Sequence, residues 1–322
     1  MPGTMQIVHG YQQVPPAARG ATFAIGNFDG VHRGHQVLLR AVCKEARRLG
    51  RPAGAMLFEP HPREFFQPDR PHFRLTPLPR KLALLDEFGL DLAAVLAFDA
   101  GLAALTPEAF IERVLVEAYA VAHVVVGYDF RFGKARAGGP ETLVAAGQTH
   151  GFGVTVVPQV AEAGEVFSSG AIRAELAQGD VKGAAQMLGY WWRVGGRVVA
   201  GAKRGTGMGF PTANLKLAPG TALLHGIYAV RIYVGGERHD GAAYLGTRPM
   251  FDAGEALLEV FLFDFDGDLY GREIEVEFID FLRGDRRFAD VEELKAQMAK
   301  DCERARSILE SSPVVPGTSR SS

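Results

Sequence analysis

Two histidines three residues apart, His32 and His35, stand in Gly26-Asn27-Phe28-Asp29-Gly30-Val31-His32-Arg33-Gly34-His35. Residues of these types suit chemistry on phosphate, because imidazoles donate hydrogen bonds to its oxygens and glycines let the backbone come close. A second set lies far downstream. Gly209-Phe210-Pro211-Thr212-Ala213-Asn214 follows the glycine-rich Lys203-Arg204-Gly205-Thr206-Gly207 and carries a hydroxyl at Thr212 and an amide at Asn214. Without that glycine-rich run, Pro-Thr followed by Asn would read as a plain turn. Glu259 is the third candidate. It is the only charge in Ala256-Leu257-Leu258-Glu259-Val260-Phe261-Leu262-Phe263, so it is either an odd edge residue or a functional carboxylate. By contrast Glu273, Glu275 and Glu277 alternate with Ile274, Val276 and Phe278, the pattern of a solvated strand face.

The histidines need a strand before them and a helix after. Ala21-Thr22-Phe23-Ala24-Ile25 is a short apolar run between glycines, and Leu38, Leu39, Val42, Ala46 and Leu49 recur at helical spacing until Gly50. The pair therefore sits past the carboxyl end of a strand and at a helix mouth. Ligands bind there in open α/β sheets, and free N–H groups favour anions. Read alone, the stretch could equally be a helix start with one capping and one surface histidine. Strands are expected at 53–58, 92–98, 123–126 and 153–157, alternating with helices at 80–88, 106–118 and from Ser168 through Leu176. Leu82, Leu85 and Phe88 form the apolar face of the first of these helices, and Thr106 caps the second. The strand at 53–58 runs into the turn Glu59-Pro60-His61-Pro62. The strand at 123–126 runs into Gly127-Tyr128-Asp129-Phe130-Arg131-Phe132-Gly133-Lys134, where Asp129 and Arg131 alternate with aromatics, as a polar site or a half-buried strand would. Strands alternating with helices predict a parallel sheet of Rossmann-like form. No Gly-x-Gly-x-x-Gly or Walker lysine motif is present, so NAD binding and P-loop chemistry find no support.

From Trp192 the pattern becomes antiparallel, with strands expected at 193–200, 227–234, 242–245, 257–265 and 274–281 and a hairpin at Gly235-Gly236. These predict a small β-barrel closed by a terminal helix. Asp290 and Glu293 would cap that helix, and Val291, Leu294, Met298, Ala305, Ile308 and Leu309 would form its apolar face. The fold class is thus α/β, a Rossmann-like domain over 1–185 followed by an antiparallel barrel domain over 186–311, with a disordered polar tail over 312–322.

The bulk numbers exclude some partners. Across 322 residues, 35 basic and 37 acidic side chains leave a net charge of −2, which argues against nucleic acid. Cys43 and Cys302 show no paired spacing and should pack on helices in a reducing compartment. No run reaches the roughly 20 apolar residues of a membrane span, and no signal-peptide pattern opens the chain. A cytoplasmic location with no membrane partner is expected.

The first stretch resembles the signature of the His-x-Gly-His nucleotidylyltransferases. Its Gly-x-Phe-Asp-Gly-x-His setting narrows the resemblance to the bacterial bifunctional riboflavin kinase/FMN adenylyltransferases, or FAD synthetases. That resemblance spans about residues 20–310. It implies catalytic roles for His32 and His35, with Gly26, Asn27, Phe28, Asp29, Gly30 and Gly34 about the nucleotide. It also places Phe58, Pro60 and Pro62 near the nucleotide, and Asp129 and Arg131 near nucleotide or flavin. Ser168, Ser169 and Arg173 match the family's triphosphate motif, although Gly170 stands where threonine is usual. In the second half, Lys203, Gly205, Gly209 and Pro211 with Thr212 and Asn214 match the stretch that holds ATP and Mg2+, and Glu259 aligns with the family's catalytic glutamate. Thr206, Met250 and Phe261 depart from its usual residues. The implied activity is phosphorylation of riboflavin to FMN by ATP, then adenylyl transfer from a second ATP to FMN. An enzyme with one decayed domain and a flavin- or nucleotide-binding sensor are the alternatives; oligomeric state stays open.

Overall fold

Short apolar runs bounded by glycine or proline become buried strands because both sheet faces are covered by helices. In the computed structural model, which describes residues 4–159, 161–162, 165–199, 212–247 and 256–312, the chain forms two units that meet at Ser169 and Gly170. The first unit opens with β1 (Gln6–His9), β2 (Thr22–Ile25), α1 (Arg33–Leu49) and β3 (Ala53–Glu59). Next come α2 (Pro62–Phe66), α3 (Leu78–Glu87), β4 (Leu92–Ala97), α4 (Ala100–Ala103) and α5 (Pro107–Phe110), the last continued as a π-helix over Ile111–Ala118. β5 (His123–Gly127), α6 (Pro140–His150), β6 (Gly153–Val157) and a small hairpin of β7 (Ala161–Glu162) and β8 (Glu165–Val166) complete it. The six-stranded sheet has the order β1-β4-β3-β2-β5-β6, and every pairing in it is parallel. From β2 the chain winds outward through β3 and β4, then returns to place β5 on β2's other side. The switch point of the sheet therefore lies at the carboxyl ends of β2 and β5.

α1 lays Leu39, Val42, Cys43 and Ala46 inward and ends on Gly50, whose φ of 63° is the left-handed cap expected of it. Thr106 caps α5 through a bond from the Ala109 amide to its Oγ1 at 3.2 Å. α3 departs from its expected face: Lys81, Leu84 and Leu85 are buried, while Leu82 and Phe88 stay half-exposed. A lysine goes under because Glu59, at the end of β3, meets its Nζ at 3.2 Å.

The second unit holds α7 (Ser169–Gln178, from Gly170 on), α8 (Val181–Leu188), β9 (Arg193–Arg197), β10 (Ala213–Lys216), β11 (Gly226–Val234), β12 (Glu237–Thr247), β13 (Ala256–Leu262), β14 (Glu273–Arg283) and α9 (Val291–Ser311). The strand order is β10-β13-β12-β11-β14-β9, with every pairing antiparallel. Gly235 and Gly236, at φ 61° and 91°, make the two-residue hairpin turn between β11 and β12. Past β9, the Val199 amide donates to the Asn214 carbonyl of β10 at 2.9 Å, so the two ends of the sheet meet and the barrel nearly closes. Ala305 and Leu309 of α9 join Ala229, Ala242, Phe263, Ile279 and Leu282 in the core. Asp290 accepts from the Glu293 amide at 2.8 Å, as expected, whereas the Glu293 carboxylate reaches the Ala289 amide instead of closing a reciprocal box.

Two expectations in this unit are overturned. Val291 is 55 % exposed, since the first turn of α9 extends beyond the barrel's apolar surface. Glu277 is buried rather than solvated: Arg193 Nε lies 2.7 Å from one of its oxygens and Arg231, itself buried, lies 3.6 Å from the other. Strand alternation gives the face a side chain occupies, and the two arginines then cover this part of it. Cys43 is buried on α1 and Cys302 packs beside the barrel core on α9, both as free thiols. Lys203, Gly205, Gly209, Pro211, Thr206, Met250 and residues 313–322 of the expected tail lie outside the described residues.

Candidate active sites

Backbone geometry at the first site is unusual before any side chain is considered. Between β2 and α1, Phe28 and Val31 adopt φ of 49° and 40°, and Gly30 adopts 89°. Left-handed conformations at non-glycine residues cost on the order of 1–3 kcal/mol each and persist only where their surroundings determine them. Here Phe28 and Val31 are buried, and Gln36 Nε2 donates to the Val31 carbonyl at 3.0 Å. The loop brings two rings together. His32 is the N-cap of α1, its Nδ1 accepting from the His35 amide at 3.3 Å, and the two imidazoles stack with centroids 3.6 Å apart. Because Nδ1 of His32 accepts, its proton sits on Nε2, leaving that nitrogen a donor. His35 also packs on Phe28 at 5.2 Å, and its buried Nδ1 has no hydrogen-bond partner among the described residues. Burial first, then His32 and Lys81, hold the His35 imidazole well below its ordinary pKa, so it is neutral at pH 7. A β-carbon on Gly34 would come within 3.0 Å of the His32 ring and 3.2 Å of the Phe167 carbonyl, so glycine permits this close packing. Asn27 presents a buried Oδ1 that also lacks a partner.

Neighbouring strand ends supply the other expected residues. Phe58 is packed against Phe98 and Phe110 in the core, Pro60 follows a cis peptide, and Pro62 opens α2. His61 caps α2 by accepting from the Arg63 amide at 3.1 Å; burial, then His72, lowers its pKa to about 4. After β5, Asp129 and Arg131 are exposed, and Arg131 pairs with Glu141 at 3.2 Å. Phe130 and Phe132 stack at 5.6 Å, with Phe132 buried in the core and Phe130 half-buried against it, while Tyr128 is exposed, so this segment is a turn anchored by two of its aromatics. Ser168 is half-buried, and Ser169 Oγ donates to the Asp29 carbonyl at 2.7 Å, tying the start of α7 to the loop. Arg173 is half-buried further along α7.

Sequence reasoning missed the residues behind the loop. Thr76, 2 % exposed, donates its amide to Asp29 Oδ1 at 3.0 Å, and its Oγ1 accepts from the Gly30 amide at 2.8 Å. Arg74 grips Glu59 at 2.6 Å and also Glu64, while Lys81 holds the other Glu59 oxygen. Three charges within eight residues of one another in Arg74, Arg80 and Lys81 carried no periodic signal that would separate the buried from the exposed.

In the second unit Asn214 and Glu259 sit directly opposite each other across β10 and β13, and Tyr244 of β12 lies opposite Glu259 on its other side. This row shares one sheet face, while Leu258, Val260 and Leu262 are buried on the other. Glu259 is half-buried; Asn214 is 3 % exposed. Among the described residues Asn214 Oδ1 is buried with no hydrogen-bond partner, and Nδ2 reaches the Thr212 carbonyl at 3.5 Å. An unpaired buried oxygen costs desolvation energy unless a ligand completes it. Half-buried Thr212, two residues before it, offers a second oxygen. Among the described residues no cluster of His, Cys, Asp or Glu could hold a metal, so a cation here would rest on this neutral pair, few protein ligands being usual for magnesium.

A parallel α/β unit with imidazoles at its switch point, followed by a nearly closed barrel with a carboxylate facing an amide, suits a two-domain transferase acting on phosphates. The family model of FAD synthetase matches residues 14–171 and that of riboflavin kinase matches residues 188–309. The chain is 42 % identical over 295 residues to the bifunctional riboflavin kinase/FMN adenylyltransferase of Escherichia coli K12, covering 91 % of this chain and 94 % of that one. It is 41 % identical to the protein of the same name from Pseudomonas fluorescens, covering 94 % and 98 %. The chain belongs to the bifunctional riboflavin kinase/FMN adenylyltransferase family. A crystal structure named as a macrolide-efflux protein from Streptococcus pneumoniae shares its fold with a TM-score of 0.83 and 28 % identity, over 94 % of this chain and 99 % of that one. No helix among the described residues is long and apolar enough to cross a membrane.

Proposed function

We propose that this chain phosphorylates riboflavin to FMN with one ATP and transfers the adenylyl group of a second ATP to FMN, giving FAD and pyrophosphate. The carrying observation is that both family models match one chain, each over the unit that holds one of the two sites. Residues 1–185 are assigned adenylyl transfer and 186–311 riboflavin phosphorylation, a boundary that falls between the two matches.

In the kinase step the riboflavin 5′-hydroxyl is a poor nucleophile, and Glu259 takes its proton as the oxygen attacks the γ-phosphorus of ATP and the bond to the β–γ bridging oxygen breaks, releasing ADP. The orphaned Asn214 Oδ1 and the Thr212 hydroxyl fit magnesium and would hold it, and the ion when bound supplies charge neutralisation on the phosphates. Lys203, Gly205, Gly209 and Pro211 are assigned to ATP binding. In the adenylyl step the FMN phosphate is already ionised near neutral pH, its second pKa being about 6, so no base is required. His32 Nε2–H and neutral His35 donate to the α-phosphate and the leaving pyrophosphate, and the start of α1 adds its free amides. Gly26, Asn27, Phe28, Gly30 and Gly34 shape that cradle, and Pro60 and Pro62 border it. Ser168, Ser169 and Arg173 are assigned to triphosphate, Asp129 and Arg131 to nucleotide or flavin.

A chromatographic time course with riboflavin, ATP and magnesium, repeated from FMN, tests the reading. FMN appearing before FAD in the first course and FAD in both is the expected result. FMN that accumulates without FAD, or FAD from FMN alone, would leave a single-activity enzyme, and bound flavin without turnover a sensor.

A further inference from the structure

We propose that Thr76 is a positioning residue for adenylyl transfer, a clamp that holds the loop bearing His32 and His35 in its bent form; the proposal rests on the adenylyltransferase reading above. Three of the four residues 28–31 have positive φ, so this loop is not one the chain would adopt unaided. Thr76 reaches both central residues of it. Its amide holds the Asp29 carboxylate at 3.0 Å and its Oγ1 receives the Gly30 amide at 2.8 Å, with a longer Oγ1 contact to Asp29 at 3.5 Å. Asp29 is only 4 % exposed and its side chain faces Thr76, which makes it part of the clamp more than a contact to substrate.

The clamp is itself anchored. Arg74, two residues before Thr76, is fixed at 2.6 Å to Glu59, and Lys81 is fixed at 3.2 Å to the same carboxylate. Glu59 ends β3, the strand hydrogen-bonded beside β2, so both flanks of Thr76 are tied to the sheet from which the histidine loop departs. From the start of α7 the Ser169 hydroxyl donates to the Asp29 carbonyl, so residue 29 is gripped by side chain and by backbone. With its shape fixed from behind, the loop places His32 and His35 at the helix mouth before substrate arrives, and misplacement by about 1 Å at such a site costs on the order of 100-fold in rate.

The test uses the full chain as Thr76→Val and Thr76→Ser. Valine keeps the shape and the amide but removes the acceptor for Gly30; serine retains it. Thr76→Val should lower kcat for FMN to FAD by roughly 10- to 100-fold, with KM for ATP little changed. Riboflavin phosphorylation by the same molecules should be unaffected, and Thr76→Ser should restore adenylyl transfer. Hydrogen exchange supplies a readout apart from turnover: the Gly30 amide should lose protection in Thr76→Val and regain it in Thr76→Ser. Adenylyl transfer at the unsubstituted rate in Thr76→Val, or equal loss in the valine and serine variants, would overturn the clamp. If Thr76→Val does not fold, Thr76→Ser matched against Thr76→Ala decides the same point. Absence of FAD formation by the unsubstituted chain would sink the function reading itself, and Gly30 protection would still decide the clamp.

Discussion

In the first unit the side chains assigned to the reaction are two stacked imidazoles on a bent loop; in the barrel the assigned pair is a carboxylate and an amide on adjacent straight strands. The difference follows the nucleophile. A phosphate that is already charged asks only for donors, which neutral imidazoles and helix amides supply. A hydroxyl asks for a proton acceptor, the part assigned to the Glu259 carboxylate of the barrel. The loop site gains its geometry from strain held by surrounding contacts, whereas the barrel site inherits its geometry from strand register at no conformational cost.

Substitutions that separate the two reactions test this contrast most severely. Glu259→Gln should lower riboflavin phosphorylation by about 10²–10⁴-fold, the usual contribution of a general base, while FMN to FAD proceeds as before. His35→Ala should do the reverse, costing FAD formation on the order of 10²–10³-fold and sparing FMN formation. If either change stopped both reactions in a folded protein, a two-site scheme would be wrong. Asn214→Ala comes next, with a loss of roughly 10- to 100-fold in the kinase step alone and a raised magnesium requirement read by metal titration. The smallest effect concerns pH. His61 is neutral in the folded state with a pKa of about 4 against 6.5 unfolded, so protonation favours unfolding, and this contribution is present above 6.5 and lost as pH falls toward 4. His61→Asn, which can still cap α2, should lose a few degrees less in thermal midpoint than the unsubstituted chain between pH 7 and pH 4.5.

Much of this architecture was legible because glycine and proline punctuate it. Gly50, Thr106 and Gly235-Gly236 each mark a boundary that the structure keeps. The helix α6 and the short strand β10 were not anticipated: α6 is a weakly patterned stretch, and β10 follows a turn-like Pro-Thr. Of the site, the sequence pattern placed His32 and His35 at the mouth of a helix, and it could not show that their rings stack. The opposition of Glu259 and Asn214 was hidden because register belongs to a pair of strands and not to either sequence. The burial of Lys81, which its helix did not announce, and that of Glu277, expected on a solvated face, have one reason. A charge enters the interior when a distant partner awaits it, and Glu59 and Arg231 are remote in the chain from the residues they cover.

The bond from the Val199 amide to the Asn214 carbonyl joins the two positions between which the Lys203–Asn214 signature is strung. Val199 and Asn214 are thereby held together as the two ends of a drawstring are at its knot. The entropy of closing a chain between two positions so held is settled by the strands, and because it grows only with the logarithm of length, each doubling adds about 0.6 kcal/mol. A change in the number of residues between these two positions should therefore cost the barrel little and leave Asn214 opposite Glu259.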